Sequence, residues 1–169
     1  MATILNSAQV SAVIKADLAN VVDLGTVMNS VSWSPSYSFG DGTGADQAKI
    51  VFTDERTLAA SANESLDLAG GLTDAFGQAI TFTKIKAIAI KAAAGNTNNV
   101  EVGGAASNAF LLFKDATDVL PVRPGGMALI VAPDAAGIAV TAGTGDLLKV
   151  ANSGGGTGVT YQIAILGVV

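Results

Sequence analysis

Along most of this chain apolar and polar residues alternate with a period of two, the spacing at which successive side chains fall on opposite faces of a β-strand. Val159, Tyr161, Ile163 and Ile165 alternate with Thr160, Gln162 and Ala164, and residues 64–68 (ESLDL) alternate as cleanly. Further short β-like runs are read at 49–53 (KIVFT), 79–92 (AITFTKIKAIAIKA), 99–102, 108–113, 119–122, 127–132, 138–142 and 147–150. In the run at 79–92 the apolar phase changes between Phe82 and Ile85, which predicts a β-bulge or a strand buried on both sides. Between the runs sit GGLTDAFG, AGNTNN, VGGAAS, RPGG, APDAAG and TAGTG, which is turn chemistry. Many short strands at close spacing predict an all-β, antiparallel β-sandwich or jelly-roll-like fold, in a single domain over 1–169.

The first forty residues are less regular. Val10, Val13, Ile14, Leu18 and Val21 keep helical spacing behind Ser7, an available N-cap, whereas residues 21–31 read as extended. The balance tips to strand, and residues 1–40 are read as an N-terminal arm. Residues 34–46 (SPSYSFGDGTGAD) are expected to form a surface loop.

Toward the end, residues 147–150 and the strand from Val159 flank ANSGGGTG and are read as a hairpin with a long flexible loop. The glycine run does not read as a phosphate cradle. A P-loop closes on Gly-Lys-Ser/Thr and opens a helix, whereas here Val159 and Thr160 follow Gly158. A dinucleotide fingerprint likewise needs a helix after the glycines.

Composition adds one strong constraint. Hydrophobic residues make up 50% of the 169, and charged residues only 14%, against about 25% in ordinary soluble domains. A membrane-spanning helix does not account for this, because the apolar stretches are broken by Lys84, Lys86 and Lys91, by Pro133 and Asp134, or by glycine before they reach about 18 residues. The N-terminal stretch lacks a basic leader with a continuous apolar segment, so no secretory signal is read, and the chain is expected to stay in the cytoplasm of its host until it assembles. The apolar excess is therefore expected to be covered by copies of the chain or by a partner.

The remaining chemistry is sparse. With no cysteine and no histidine, disulfides, Cys- or His-based nucleophilic catalysis and an ordinary zinc site are excluded. Nine basic against fourteen acidic residues give a net charge of −5, which argues against nucleic-acid binding. Lys84 and Lys86 share a strand face and read as a solvated face or as edge protection. Asp74, Asp115, Asp134 and Asp146 sit beside Gly, Ala or Thr in turns, where Asp is wanted for local hydrogen bonds, rather than as the facing pair of a glycosidase. In DGTGAD, oxygens of Asp41, Thr43 and Asp46 could converge on calcium, but no Glu closes an EF-hand and an Asp-Gly turn explains the same residues. VRPGG places Arg123 before a type II turn, where it is expected to be solvated or locally paired. No catalytic, cofactor-binding or metal-ligating residue is assigned, and an enzyme is not expected.

Residues 40–167 resemble a group of small virion structural proteins of tailed bacteriophages, most specifically in LDLAGGLTDAFG, VRPGG and VTAGTGDLLKVANSG. The resemblance is one of texture and phrase and transfers no functional residue. It implies a β-sandwich component of the virion, most nearly a capsid decoration or cement protein that binds and stabilises the head shell. The implied partners are further copies of the chain, with a homotrimer as first expectation, and the major capsid protein, which residues 1–40 could contact. A tail or fibre component is the alternative. So is a glycan-binding module of a receptor-binding structure, with Trp33, Tyr37 and Phe39 near Asp41 as its only aromatic cluster.

Overall fold

The structure, a computed structural model, describes residues 4–169. Every regular element among them is a β-strand. Two antiparallel sheets make the body. The larger contains β6 (Ile50–Leu58), β10 (Lys84–Ala92), β13 (Met127–Val131), β14 (Ile138–Ala139) and β16 (Val159–Val168), in the order β13-β10-β16-β6 with β14 also on β10. The smaller runs β12-β11-β15-β7, from β12 (Val119–Val122), β11 (Val100–Gly103), β15 (Leu147–Asn152) and β7 (Asn63–Asp67). The short pair β8 (Leu72–Thr73) and β9 (Ala79–Ile80) closes one side.

Period-two alternation aims one apolar set from each large sheet at the other. Phe52, Ile88, Ile90, Tyr161, Ile163 and Ile165 from the larger sheet and Leu66, Val100, Val102, Leu148 and Val150 from the smaller share one buried cluster. The expected all-β, antiparallel architecture is therefore present. Pro121, which has no N–H to give a ladder, sits on β12, an edge strand. At VRPGG, Gly126 N–H donates to Arg123 O (2.8 Å) and Gly125 has φ +73°, the type II turn expected there.

The N-terminal region is strand, not helix. β1 (Ala8–Ser11) pairs antiparallel with β4 (Ser36–Asp41), and β2 (Ile14–Val22) pairs antiparallel with β3 (Gly25–Trp33). The four strands make one long ribbon with its turn at 22–25. The base of the ribbon, with β5 (Gln47–Ala48) beside β4, lies on the outer face of the larger sheet, where Phe39 and Ala48 pack on Ala87 and Leu166.

Four sequence readings are corrected. Residues 34–46, expected as a surface loop, hold strand β4, whose Phe39 is buried; the loop itself follows Asp41. Residues 147–150 and the strand from Val159 do not form a hairpin: β15 pairs with β11 and β7, whereas β16 pairs with β10 and β6. The glycine-rich loop carries the chain across the roughly 10 Å between layers. It is clamped by Asn152, whose side chain donates to Ala59 O (2.9 Å) and Thr157 O (2.8 Å) and accepts from Asn98 Nδ2 (2.9 Å). Residues 108–113 are not a strand: Asn108 has φ +50°, and Phe110 and Leu112 plug the core from an irregular segment with a single bridge at Ala109. Lys86 is not on a solvated face. The ladder between β10 and β16 slips between Ile85 and Ala87, so Lys86 is the extra residue of a bulge and is fully buried. The phase change read at 82–85 thus has two causes, the break between β9 and β10 and this bulge.

Candidate interaction surface

Register decides what the ribbon presents. Directly opposed residues of an antiparallel pair share a face. One face of β2–β3 therefore carries the pairs Ile14/Trp33, Ala16/Val31, Leu18/Asn29, Asn20/Val27 and Val22/Gly25, with no charge on it. The other carries Lys15/Ser32 and Asp17/Ser30 near the base, the Ser30 hydroxyl donating to the Asp17 carboxylate, and then Ala19/Met28 and Val21/Thr26 toward the tip. Short of Asp23 at the turn, the outer half of the ribbon is thus free of charge on both faces and the inner half on one.

Every residue of β2 and β3 is exposed. Val21 is 81% exposed, Trp33 55%, and Leu24 at the turn stands clear of any neighbour. Of the eighteen large hydrophobic side chains that are exposed among the described residues, eleven lie between Val13 and Tyr37. The apolar excess noticed in the composition is thus concentrated on one protruding element. Nine residues at about 3.4 Å each make it roughly 30 Å long. An isolated two-stranded hairpin is only marginally stable in water, and burying each Val, Leu, Ile or Met on it is worth about 1.5–3 kcal/mol. The ribbon thus leaves a large apolar surface uncovered and has little stability of its own.

The other residues singled out from the sequence are used elsewhere. Asp41 forms an ion pair with Lys49 (2.9 Å), and Gly44 N–H donates to Gln47 Oε1 (2.8 Å). Asp46 N–H donates to Pro133 O (2.7 Å). The DGTGAD loop is therefore closed by protein groups, and Thr43 is not brought to a shared centre with the two carboxylates by any of these bonds. No group of three or more Asp or Glu able to hold a metal ion occurs among the described residues. Phe39 is a 1%-exposed anchor under the ribbon base, while Tyr37 and Trp33 follow it outward along the ribbon. The three aromatics do not form one platform.

Two polar clusters, each built on a buried side chain, escaped the sequence reading. Lys86 Nζ donates to Gly44 O (3.0 Å) and to Asp134 O, tying the 42–46 loop to the 133–137 turn. Burial lowers its pKa, partly opposed by the nearby Asp134 carboxylate. At the far end of the core, Tyr161 Oη donates to Glu64 Oε1 (2.9 Å), and Arg56 Nη1 donates to Glu64 Oε2 (2.6 Å) while pairing through Nε with Asp54 (2.9 Å). Burial, reinforced by the Glu64 carboxylate, pushes the Tyr161 hydroxyl far above its usual range. That hydroxyl donates from β16 to Glu64 on β7 and so bridges the two sheets. Neither cluster announces itself locally, because each is assembled from three or more separate segments.

Comparison of the chain with protein families, with curated proteins and with solved structures gives no match.

Proposed function

We propose that this protein is a structural component of a phage virion, a decoration protein that binds the outside of a capsid shell and holds neighbouring capsomers together. The observation that carries the reading is the long, apolar β2–β3 ribbon standing off a closed sandwich. A compact body with one greasy arm, free of charge along one whole face, is built to be fastened to a larger surface, and many such contacts made by a multimer accumulate avidity. The phage-like phrases in residues 40–167 supply the kind of surface, and the net charge of −5 suits a place away from packaged DNA. The role is mechanical rather than catalytic.

The test is direct. Purified protein mixed with undecorated shells of the cognate particle should give ordered density on the lattice by electron cryomicroscopy. Bare shells at saturating protein would refute the proposal, and rings that stack into tubes would place the protein in a tail instead.

A further inference from the structure

The outer face of the larger sheet offers a seat for the ribbon. Its side chains lie in three rows across the four strands. In the first row, Val131, Ala87 and Leu166 are roofed by the chain's own ribbon base through Phe39, while Val51 at its end stays exposed. The second, Leu129, Ala89, Ala164 and Thr53, is open, and beyond Leu129 its side chains are small. The third, Met127, Lys91, Gln162 and Glu55, forms a taller, polar rim. Two depressions of about 360 and 520 Å³ lie along this face and share Ala89, Met127 and Ala164, so the second row is one continuous trough. One wall of it is β1, whose outer edge has no strand paired to it among the described residues.

We infer that the trough receives the β2–β3 ribbon of a second copy of this chain, so that copies assemble by exchanging arms. Four observations select that occupant. The ribbon face made by Ile14, Leu18, Val22, Val27, Val31 and Trp33 has no charge, and neither has the second row of the trough; the charges beside that row, Lys91 and Glu55, stand on the exposed rim, where they keep their access to solvent. Beside Leu129, the Ala89, Ala164 and Thr53 positions of that row are recessed where the ribbon's large side chains project, which is the pairing of large against small that close packing requires. The incoming ribbon continues the layer that each copy has already begun with its own β1 and β4, and the free edge of β1 can take a ladder of hydrogen bonds.

Area is the fourth. One ribbon face covers about 300 Å² (roughly 30 Å by 10 Å). A copy that gives one arm and receives one covers about twice that, approaching the ~800 Å² per partner of a stable interface. A one-way contact falls well short, so the exchange must be mutual or run round a closed ring. The ribbon's second face, uncharged over Ala19, Val21, Thr26 and Met28, is then left to be covered by further copies within the same ring. This inference is independent of shell binding: it describes the free protein.

Light scattering after size exclusion tests it. The wild type should elute as a discrete closed oligomer, a small multiple of 16.8 kDa. Leu18→Glu with Val27→Glu lies on the protruding ribbon, away from the core, and should leave the melting transition of the body in place while reducing the mass to that of one chain. Ala164→Arg, which fills the trough from the other side, should do the same. Because the chain has no cysteine, a Leu18→Cys, Ala164→Cys double variant should give intermolecular disulfide-linked chains on oxidation, while either single variant should give few. A monomeric wild type overturns the inference, as does an oligomer that survives both the ribbon and the trough substitutions. An oligomer that assembles as described yet leaves shells bare would sink only the proposed function; a monomer that decorates shells would sink only the arm exchange.

Discussion

Lys86 is the residue at which burial and charge conflict most sharply. Its ammonium is out of reach of solvent, held by the carbonyls of Gly44 and Asp134. Lys86→Met removes the donor and leaves two carbonyls unanswered, so it should cost about 1–3 kcal/mol at neutral pH. The 42–46 and 133–137 segments should then exchange their amide hydrogens faster. The pH dependence has a definite sign. With the folded pKa below the ordinary value of 10.5, the unfolded chain binds the proton more tightly, so the Lys86 contribution to stability increases as pH rises from the lowered pKa toward 10.5. Thermal melts of wild type and Lys86→Met across that interval should differ by a rising limb that only the wild type has. An unchanged difference between the two proteins would mean that the ammonium is not desolvated.

At the scale of elements, the sheet packing depends on where the backbone is bare. A Cβ on Gly167 would lie 2.4 Å from Lys84 O and 2.7 Å from the Phe82 ring, closer than any real side-chain carbon sits. Gly167→Ala should therefore push β10 and β16 apart beside the bulge and cost about 2–4 kcal/mol in a denaturant titration; a loss under half a kilocalorie would mean that the junction yields. This is also the scale at which the sequence could be read and at which it failed. Strands such as β7, β11, β12 and β13 were legible because their apolar alternation is local. Which strands become neighbours was not, because Leu148 and Val150 alternate just as Val159 and Tyr161 do whether they pair or face each other across a core. Lys86 was misplaced because a single inserted residue reverses the inside and outside of everything near it. The ribbon was half legible: extended residues were suspected at 21–31, but Val10, Val13, Ile14, Leu18 and Val21 also fit a helix. Only the pairing of Ile14 with Trp33 through Val22 with Gly25 sorts the apolar side chains onto faces.

The whole molecule combines a closed body with an unfinished surface. Trp33, the single tryptophan, lies on the apolar face of the ribbon. If the ribbon is covered on assembly, the emission maximum should shift to shorter wavelength as protein concentration rises through the association range. The same shift should be absent from the Leu18→Glu, Val27→Glu variant. A red, concentration-independent emission from an oligomer would place the contacts elsewhere. The sandwich itself should be indifferent to this equilibrium, because its core is complete within one chain and shares no side chain with β2 or β3.

Strand β16 occupies the middle of the larger sheet, flanked by β10 and β6, although more than a hundred and fifty residues precede it in the sequence. A ribosome must therefore deliver residue 168 before the two outer portions of that sheet have anything to join. The β2–β3 hairpin needs only its own neighbours in sequence and closes on a far shorter timescale. Each newly made chain thus offers its sticky finger to the surroundings well before it has a folded palm, and crowded polysomes translating one message are where sister chains would first meet.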